Sequence, residues 1–209
     1  MDLTAGVLGN DFIKMIVILD PFVAITMFLA LTREHVAART RIATLACVIA
    51  AALLIVFVSV GQAILDALGI GLYSFRIAGG LVLAVSGLRM VFETDRAPAY
   101  DMAGRRVEEV AAFPIAMPVI VGPGAILTAV MLTDNDIWST TQRAAKGGVF
   151  LLALACVYGA LLAAAPLARW IGATGLNVIS RVMGLIVVAI ATQAVLSGVV
   201  GYFGIIVPG

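Results

Sequence analysis

Six apolar runs, each long enough to cross a lipid bilayer, dominate this sequence. They lie at about 12–31, 41–65, 72–92, 110–132, 147–168 and 182–203, and one helical crossing needs about 20 apolar residues. Charged residues make up only 12% of the chain and the mean hydropathy is +1.14, whereas a soluble domain has about 25% charged residues. The chain is therefore predicted to be an integral membrane protein with the lipid bilayer as its solvent.

The six runs predict an all-α fold. In hydrocarbon every backbone N–H and C=O group must find a partner within the protein, which leaves helices and closed barrels as the only spanning structures. The alternation of polar and apolar residues expected of a barrel strand is absent from the sequence. We therefore expect an all-α membrane protein with six transmembrane helices.

Several functional classes lack support in the sequence. There is no Gly-x-Ser-x-Gly nucleophile motif, no phosphate-binding glycine loop and no zinc-protease motif. His35 is the only histidine and has no ligands at metal-binding spacing beside it. The net charge of +1 gives no reason to expect nucleic acid as a partner. We expect neither enzyme activity nor a metal or cofactor.

The positions of the basic residues predict the orientation of the chain. Basic residues near the ends of spans prefer the cytoplasmic side, and nine of the thirteen lie in or beside the loops after spans one, three and five. The remaining four, which include Lys14 and Arg76, lie on the opposite side. We therefore expect the odd-numbered loops in the cytoplasm and both termini on the non-cytoplasmic side.

Landmarks in the first three spans recur in the last three. Span one contains Asp-Pro and span four Gly-Pro, LACV occurs in spans two and five, and Arg-x-x-Gly opens spans three and six. Because three is an odd number, the second half must enter the membrane from the opposite side. This predicts an inverted repeat, as in many secondary transporters, with halves at 1–92 and 110–209 and a polar cytoplasmic loop at 93–109, all in a single membrane domain.

Prolines interrupt spans one and four near their middles. A proline removes one backbone hydrogen bond and clashes with the preceding turn, so Asp20-Pro21 and Gly122-Pro123 should each break a helix. Matched breaks in the two halves of a transporter are a pointer to its binding site. The alternative is that each proline only kinks its helix.

The residues at these breaks suggest how a ligand would be held. Asp20 is a mid-span carboxylate, which costs roughly 2.5–3.5 kcal/mol on insertion scales. It could bind a substrate ammonium or a coupling cation, carry a proton, or cap the half-helix that begins at Pro21. Free N–H groups at the start of the second half-helix suit a carboxylate, so the two breaks could hold a zwitterion. The candidate substrate-binding residues, including two threonines that could instead be helix contacts, are Asp20, Pro21, Thr26, Gly122, Pro123, Gly124 and Thr128.

Two segments resemble the signature segments of a known family. LDPFVAITMFLALT in span one and FPIAMPVIVGPGAILTAVML in span four are similar to those of the MarC family, also called SnatA-like small neutral amino acid transporters. Span one departs from the family pattern, because Val23, Ala24 and Thr26 stand where members typically have Gly, Asn and Pro. The resemblance implies an inner-membrane transporter of glycine, alanine, serine or threonine, with proton coupling as an option.

Two other functions remain open at this stage. The breaks could line a permanent path, in which case the chain would be a channel. They could also be simple kinks in a membrane component that assembles with or regulates other proteins. Saturable uptake with counterflow would distinguish a carrier from both, whereas the sequence leaves the oligomeric state open.

Overall fold

Helices account for nearly all of the residues that the computed structural model describes, which are 3–92, 102, 104–135 and 137–205. No strand occurs within those ranges, so the predicted all-α class is confirmed. In chain order the helices are α1 (Ala5–Leu19), α2 (Pro21–Leu31), α3 (Arg39–Ala67), α4 (Leu72–Phe92), α5 (Val107–Val110), α6 (Pro123–Leu132), α7 (Thr140–Leu162) and α8 (Ala164–Phe203).

Five helical segments of the described chain are long and apolar enough to cross a membrane, and a sixth crossing is made if one bent pair is counted. The five are Ala5–Leu31, Val36–Ala67, Leu72–Phe92, Thr140–Leu162 and Thr174–Phe203. The bent pair joins Val107–Ile120 to Pro123–Leu132 at an angle of 58°. The six predicted spans correspond in order to these segments; the third matches Leu72–Phe92 at both ends, whereas each of the others differs at one end or both.

Helix caps explain why two spans begin earlier than the sequence predicted. The Thr4 side chain accepts a hydrogen bond from the N–H of Val7, and α1 therefore starts at Ala5 rather than at residue 12. Ser139 and Gln142 form a capping box, so α7 starts at Thr140 rather than at residue 147. A cap fixes the helix start at a polar residue, whereas the apolar run that we used begins further along.

The end of the fifth span and the start of the sixth also differ from the prediction. α7 ends at Leu162, so the predicted fifth span at 147–168 runs past the end of its helix. α8 then continues to Phe203 and contains a kink at Gly172, whose φ is 74°. Most of the loop predicted at 93–109, namely 93–101 and 103, lies outside the described residues.

An irregular segment, Ala111–Ile120, connects α5 to the turn before α6. Its backbone is extended at Phe113 and at Met117, and the peptide bonds that precede Pro114 and Pro118 are both cis. The segment packs against α2 and α3, and Ile115 and Ala116 are fully buried. Irregular backbone at membrane depth is tolerated where it packs against protein, and α2 and α3 cover one side of this segment, whereas Phe113 and Met117 are exposed on the other.

Two apolar clusters form the core. The larger joins α1, α2, α3, α6, α7, the irregular segment and the first part of α8, and Phe28 and Phe150 are among its most buried side chains. The smaller lies between α1, α4, α6 and α8 and includes Leu83, Leu127 and Val187. Because α1, α6 and α8 contribute to both clusters, they link α4 to the rest of the helices.

A buried ion pair connects α1 to α7. The Lys146 ammonium lies 2.6 Å from Oδ2 of Asp11, and the side chains are only 2% and 4% exposed. The ammonium also lies 3.9 Å from the centre of the Trp138 ring. The carboxylate and the aromatic face together compensate the cation for its loss of water.

Glycines let α4 and α8 approach each other closely. A Cβ atom built on Gly87 would lie 2.9 Å from the carbonyl oxygen of Gly184, and one built on Gly184 would lie 2.9 Å from the carbonyl oxygen of Gly87. Larger residues at these positions would collide with backbone, which cannot move aside as a flexible side chain can. Small residues at membrane helix interfaces favour this kind of close packing.

Replacing Lys146 by Met should lower the free energy of unfolding by about 3–5 kcal/mol, because Asp11 would stay buried without its cation. The matched control is Arg41→Gln, which removes an exposed pair with Glu108 and should cost at most about 1 kcal/mol. Denaturant-induced unfolding of the purified protein in detergent, followed by circular dichroism, measures both. Equal losses in the two variants would contradict the assignment of Asp11–Lys146 as a structural pair.

Replacing Gly87 by Ala should destabilise the fold by about 1–3 kcal/mol, because the added methyl group overpacks the contact with α8. Gly148 lies in α7 with nothing within 4 Å of a built Cβ. The control Gly148→Ala should be neutral or stabilising by up to about 1 kcal/mol, since alanine is the better helix former. The same unfolding measurement compares the two variants. A Gly87→Ala variant as stable as Gly148→Ala would show that α4 and α8 can move apart without loss of stability.

Candidate functional site

Asp20 lies between two helices and is 5% exposed. α1 ends at Asp20, whose backbone has a left-handed conformation with φ 38° and ψ 82°. Its Oδ1 accepts hydrogen bonds of 3.0 Å from the N–H groups of Phe22 and Val23. The proline at the first position of α2 has no N–H group to satisfy. Asp20 therefore caps α2, which is one of the roles that the sequence allowed, and it carries a carboxylate at the centre of Ala5–Leu31.

The start of α6 is organised differently. α6 also begins at a proline, Pro123, but no described side chain caps it. The N–H groups of Ala125 and Ile126 donate to the Gly122 carbonyl oxygen at 3.0 and 3.2 Å. Since the first N–H groups of a helix carry partial positive charge, this end of α6 differs from that of α2 in having no carboxylate of its own.

The starts of α2 and α6 both lie beside the end of α1. A Cβ atom built on Gly124 would lie 3.7 Å from Cγ2 of Ile18, two residues before Asp20. The same built atom would lie 2.3 Å from Cδ2 of Leu83, so the lack of a side chain at Gly124 permits the close approach of α4. The second half-helix thus begins beside the last turn of α1.

The other predicted residues are divided among separate cavities. Thr128 lines a cavity of about 420 Å³, Pro123 lines one of about 290 Å³ and Thr26 lines one of about 240 Å³. The Thr26 hydroxyl donates to the carbonyl oxygen of Val23 at 2.9 Å, as threonines within helices commonly do. Three of the seven candidate residues thus line three different cavities. Within the described ranges no group of His, Cys, Asp and Glu side chains could hold a metal ion.

The cavity of about 420 Å³ is lined by residues that we did not predict from the sequence to lie close together. It lies between α1, α4, α6 and α8, and Lys14, Arg76, Gln193 and Ser197 provide most of its polar groups. From the sequence we used Lys14 only to orient the chain, and Arg76 to orient the chain and as a landmark of the repeat. The available signal was that both cations lie within apolar segments, where an ionisable residue more often marks a functional site.

The chain matches known proteins over nearly its whole length. Residues 6–203 match the family described as MarC family integral membrane protein. A UPF0056 membrane protein of Methanocaldococcus jannaschii is 34% identical over 205 residues, which cover 96% of this chain and 98% of the relative. No solved structure matches.

Two bacterial relatives also match most of this chain, and to the same extent as each other. The UPF0056 inner membrane protein MarC of Escherichia coli K12 and that of Shigella flexneri are each 29% identical over 206 residues, covering 92% of this chain and 93% of the relative. The similarity therefore extends through all the helices that surround Asp20 and α6. This chain belongs to the MarC family of integral membrane proteins.

Proposed function

We propose that this chain is a secondary transporter of small neutral amino acids, of the class of glycine, alanine, serine and threonine. The observation that carries the proposal is the position of Asp20, a buried carboxylate that ends α1, whose last turn lies beside the start of α6 at Ile18. A zwitterion presents one charge of each sign a few ångströms apart. Asp20 would attract its ammonium group, and the N-terminus of α6 would attract its carboxylate.

The surroundings of Asp20 support a ligand rather than a purely structural role. Asparagine or serine caps a helix about as well as aspartate, so a neutral residue could cap α2 without placing a charge inside a membrane span. The cap on α2 therefore does not require the charge of Asp20, and an ammonium group or a coupled proton could interact with that charge during transport.

The antiparallel packing of corresponding helices supports the proposed inverted repeat. Gly87 faces Gly184, whereas Gly198 faces Tyr73, so α4 and α8 run in opposite directions. α3 and α7 also run in opposite directions, since Thr44 lies 3.0 Å from Tyr158 and Arg143 donates to the carbonyl oxygen of Val58. Counterparts related by an axis in the membrane plane must be antiparallel.

The location that we propose is the cell inner membrane, because the names of the bacterial relatives place those proteins there. The bias of basic residues further predicts that both termini lie on the non-cytoplasmic side. In this orientation Thr4 and Ser139 would lie near the outer surface and Glu34 near the cytoplasmic surface.

Proteoliposomes with the purified chain should take up labelled glycine, alanine, serine or threonine saturably, and unlabelled substrate should compete. An inward proton gradient should accelerate uptake if Asp20 exchanges a proton during transport. Counterflow distinguishes a carrier from a channel. A folded protein that transports none of the four would contradict the proposal and favour the assembly or regulatory role.

Replacing Asp20 by Asn should abolish most of this uptake, because the amide retains the helix cap but has no charge for the ammonium group. The loss should be at least tenfold, with little change in stability. The matched control is Asp66→Asn, which neutralises an exposed carboxylate at the end of α3 and should leave uptake unchanged. Full uptake by Asp20→Asn would remove the carboxylate from the proposed site.

Cysteine labelling tests the orientation. A membrane-impermeant maleimide added to intact spheroplasts should label Thr141→Cys, which is exposed at the start of α7, and should leave Glu34→Cys unlabelled until the membrane is opened. The unsubstituted chain controls for Cys47 and Cys156. The reverse pattern would place both termini in the cytoplasm.

A further inference from the structure

The cavity between α1, α4, α6 and α8 combines positive charge with apolar walls. Lys14 and Arg76 are its charged groups, and no acidic side chain is among the described residues that line it. Its volume of about 420 Å³ falls within the range of roughly 300–1,000 Å³ that is usual for small-molecule sites. A cavity of this composition favours a ligand that is both apolar and negatively charged.

Neither cation is neutralised within the part of the chain that the structure describes. No salt bridge there involves Lys14 or Arg76, and the buried Nε of Arg76 has no hydrogen-bond partner. Lys14 is exposed and Arg76 is half-buried, whereas the fully buried Lys146 pairs with Asp11. An unpaired guanidinium beside an apolar cavity is a ready donor for two oxygens of a carboxylate or phosphate group.

The remaining lining residues divide into a polar and an apolar part. Thr128, Gln193 and Ser197 add hydroxyl and amide groups, and Gln193 Nε2 donates to Oγ of Ser197 at 3.3 Å. The apolar walls are formed by Leu83, Met131, Leu132, Ala189, Ile190 and Ala194. The head group and the body of an amphipathic molecule would therefore meet different surfaces.

We propose that this cavity binds an amphipathic organic anion, with a carboxylate or phosphate group held by Lys14 and Arg76 and the apolar body against α6 and α8. The cations of this cavity lie apart from the carboxylate of the amino-acid site, because Lys14 precedes Asp20 by six residues, or roughly 9 Å along a helix, and the two sites share only the candidate residue Thr128. That separation exceeds the length of a glycine zwitterion. The inference holds whether or not the chain transports amino acids.

Binding of labelled octanoate to the purified, full-length chain in a neutral detergent tests the proposal. Binding should be saturable, should weaken as salt is raised, and should be competed by unlabelled octanoate far better than by octanol or acetate. Octanol lacks the charge and acetate lacks the apolar body. Octanol competing as well as octanoate would overturn the proposal, since the cations would then contribute nothing.

Variants assign the binding to this cavity. Lys14→Gln and Arg76→Gln should each raise the Kd for octanoate by about tenfold or more, which is the effect of losing a hydrogen bond to a charged group. The matched control is Arg181→Gln, an exposed arginine that opens the sixth predicted span as Arg76 opens the third and that lies outside the cavity. Unchanged affinity in the Lys14→Gln/Arg76→Gln double variant would overturn the proposal.

A second variant keeps the test independent of the charges. Ala194→Phe should fill the apolar part of the cavity and weaken octanoate binding while both cations remain, and unaltered binding in this variant would also overturn the proposal.

Competition with dioleoylphosphatidylglycerol, compared with dioleoylphosphatidylcholine, identifies the source of the anion. Displacement by the anionic lipid alone would indicate a phospholipid head group, and no displacement by either would indicate a soluble organic acid.

Discussion

The structure depends on one constraint, which is that backbone polar groups inside a bilayer must find partners within the protein. Two places interrupt the regular helical pattern at depth, and each meets the constraint differently. At Asp20 the side chain itself accepts from two backbone N–H groups. At Ala111–Ile120 the neighbouring helices α2 and α3 pack against one side of the irregular backbone. The interruptions can therefore lie within the helix bundle, where functional sites of membrane proteins are found.

Ionisable side chains within the apolar segments follow three patterns. Lys146 and Asp11 compensate each other and join α1 to α7. The Asp20 carboxyl group is tied into backbone hydrogen bonds at a helix boundary. Lys14 and Arg76 stand beside a cavity and, among the described residues, form no salt bridge. The first pattern is structural, whereas the other two place charge beside space or backbone that a ligand could use.

The sequence predicted the class and the order of the spans because hydropathy and the length of an apolar run depend on local composition. It predicted helix ends less well, since Thr4 and Ser139 set those ends through caps outside the apolar runs. Asp20 could be identified because a carboxylate within an apolar run is conspicuous. The cavity with Lys14 and Arg76 could not be identified, because its residues come from four helices and their proximity depends on packing that no single segment encodes.

The reciprocal contact between Gly87 and Gly184 limits how this protein can move. Gly87 belongs to the third span of the first half and Gly184 to the third span of the second, and their backbones touch with no side chain between them. A transport cycle in which these two helices swing apart would have to break this contact and lose its close packing. α4 and α8 are better regarded as a shared frame, relative to which the interrupted segments around Asp20 and Gly122 change position.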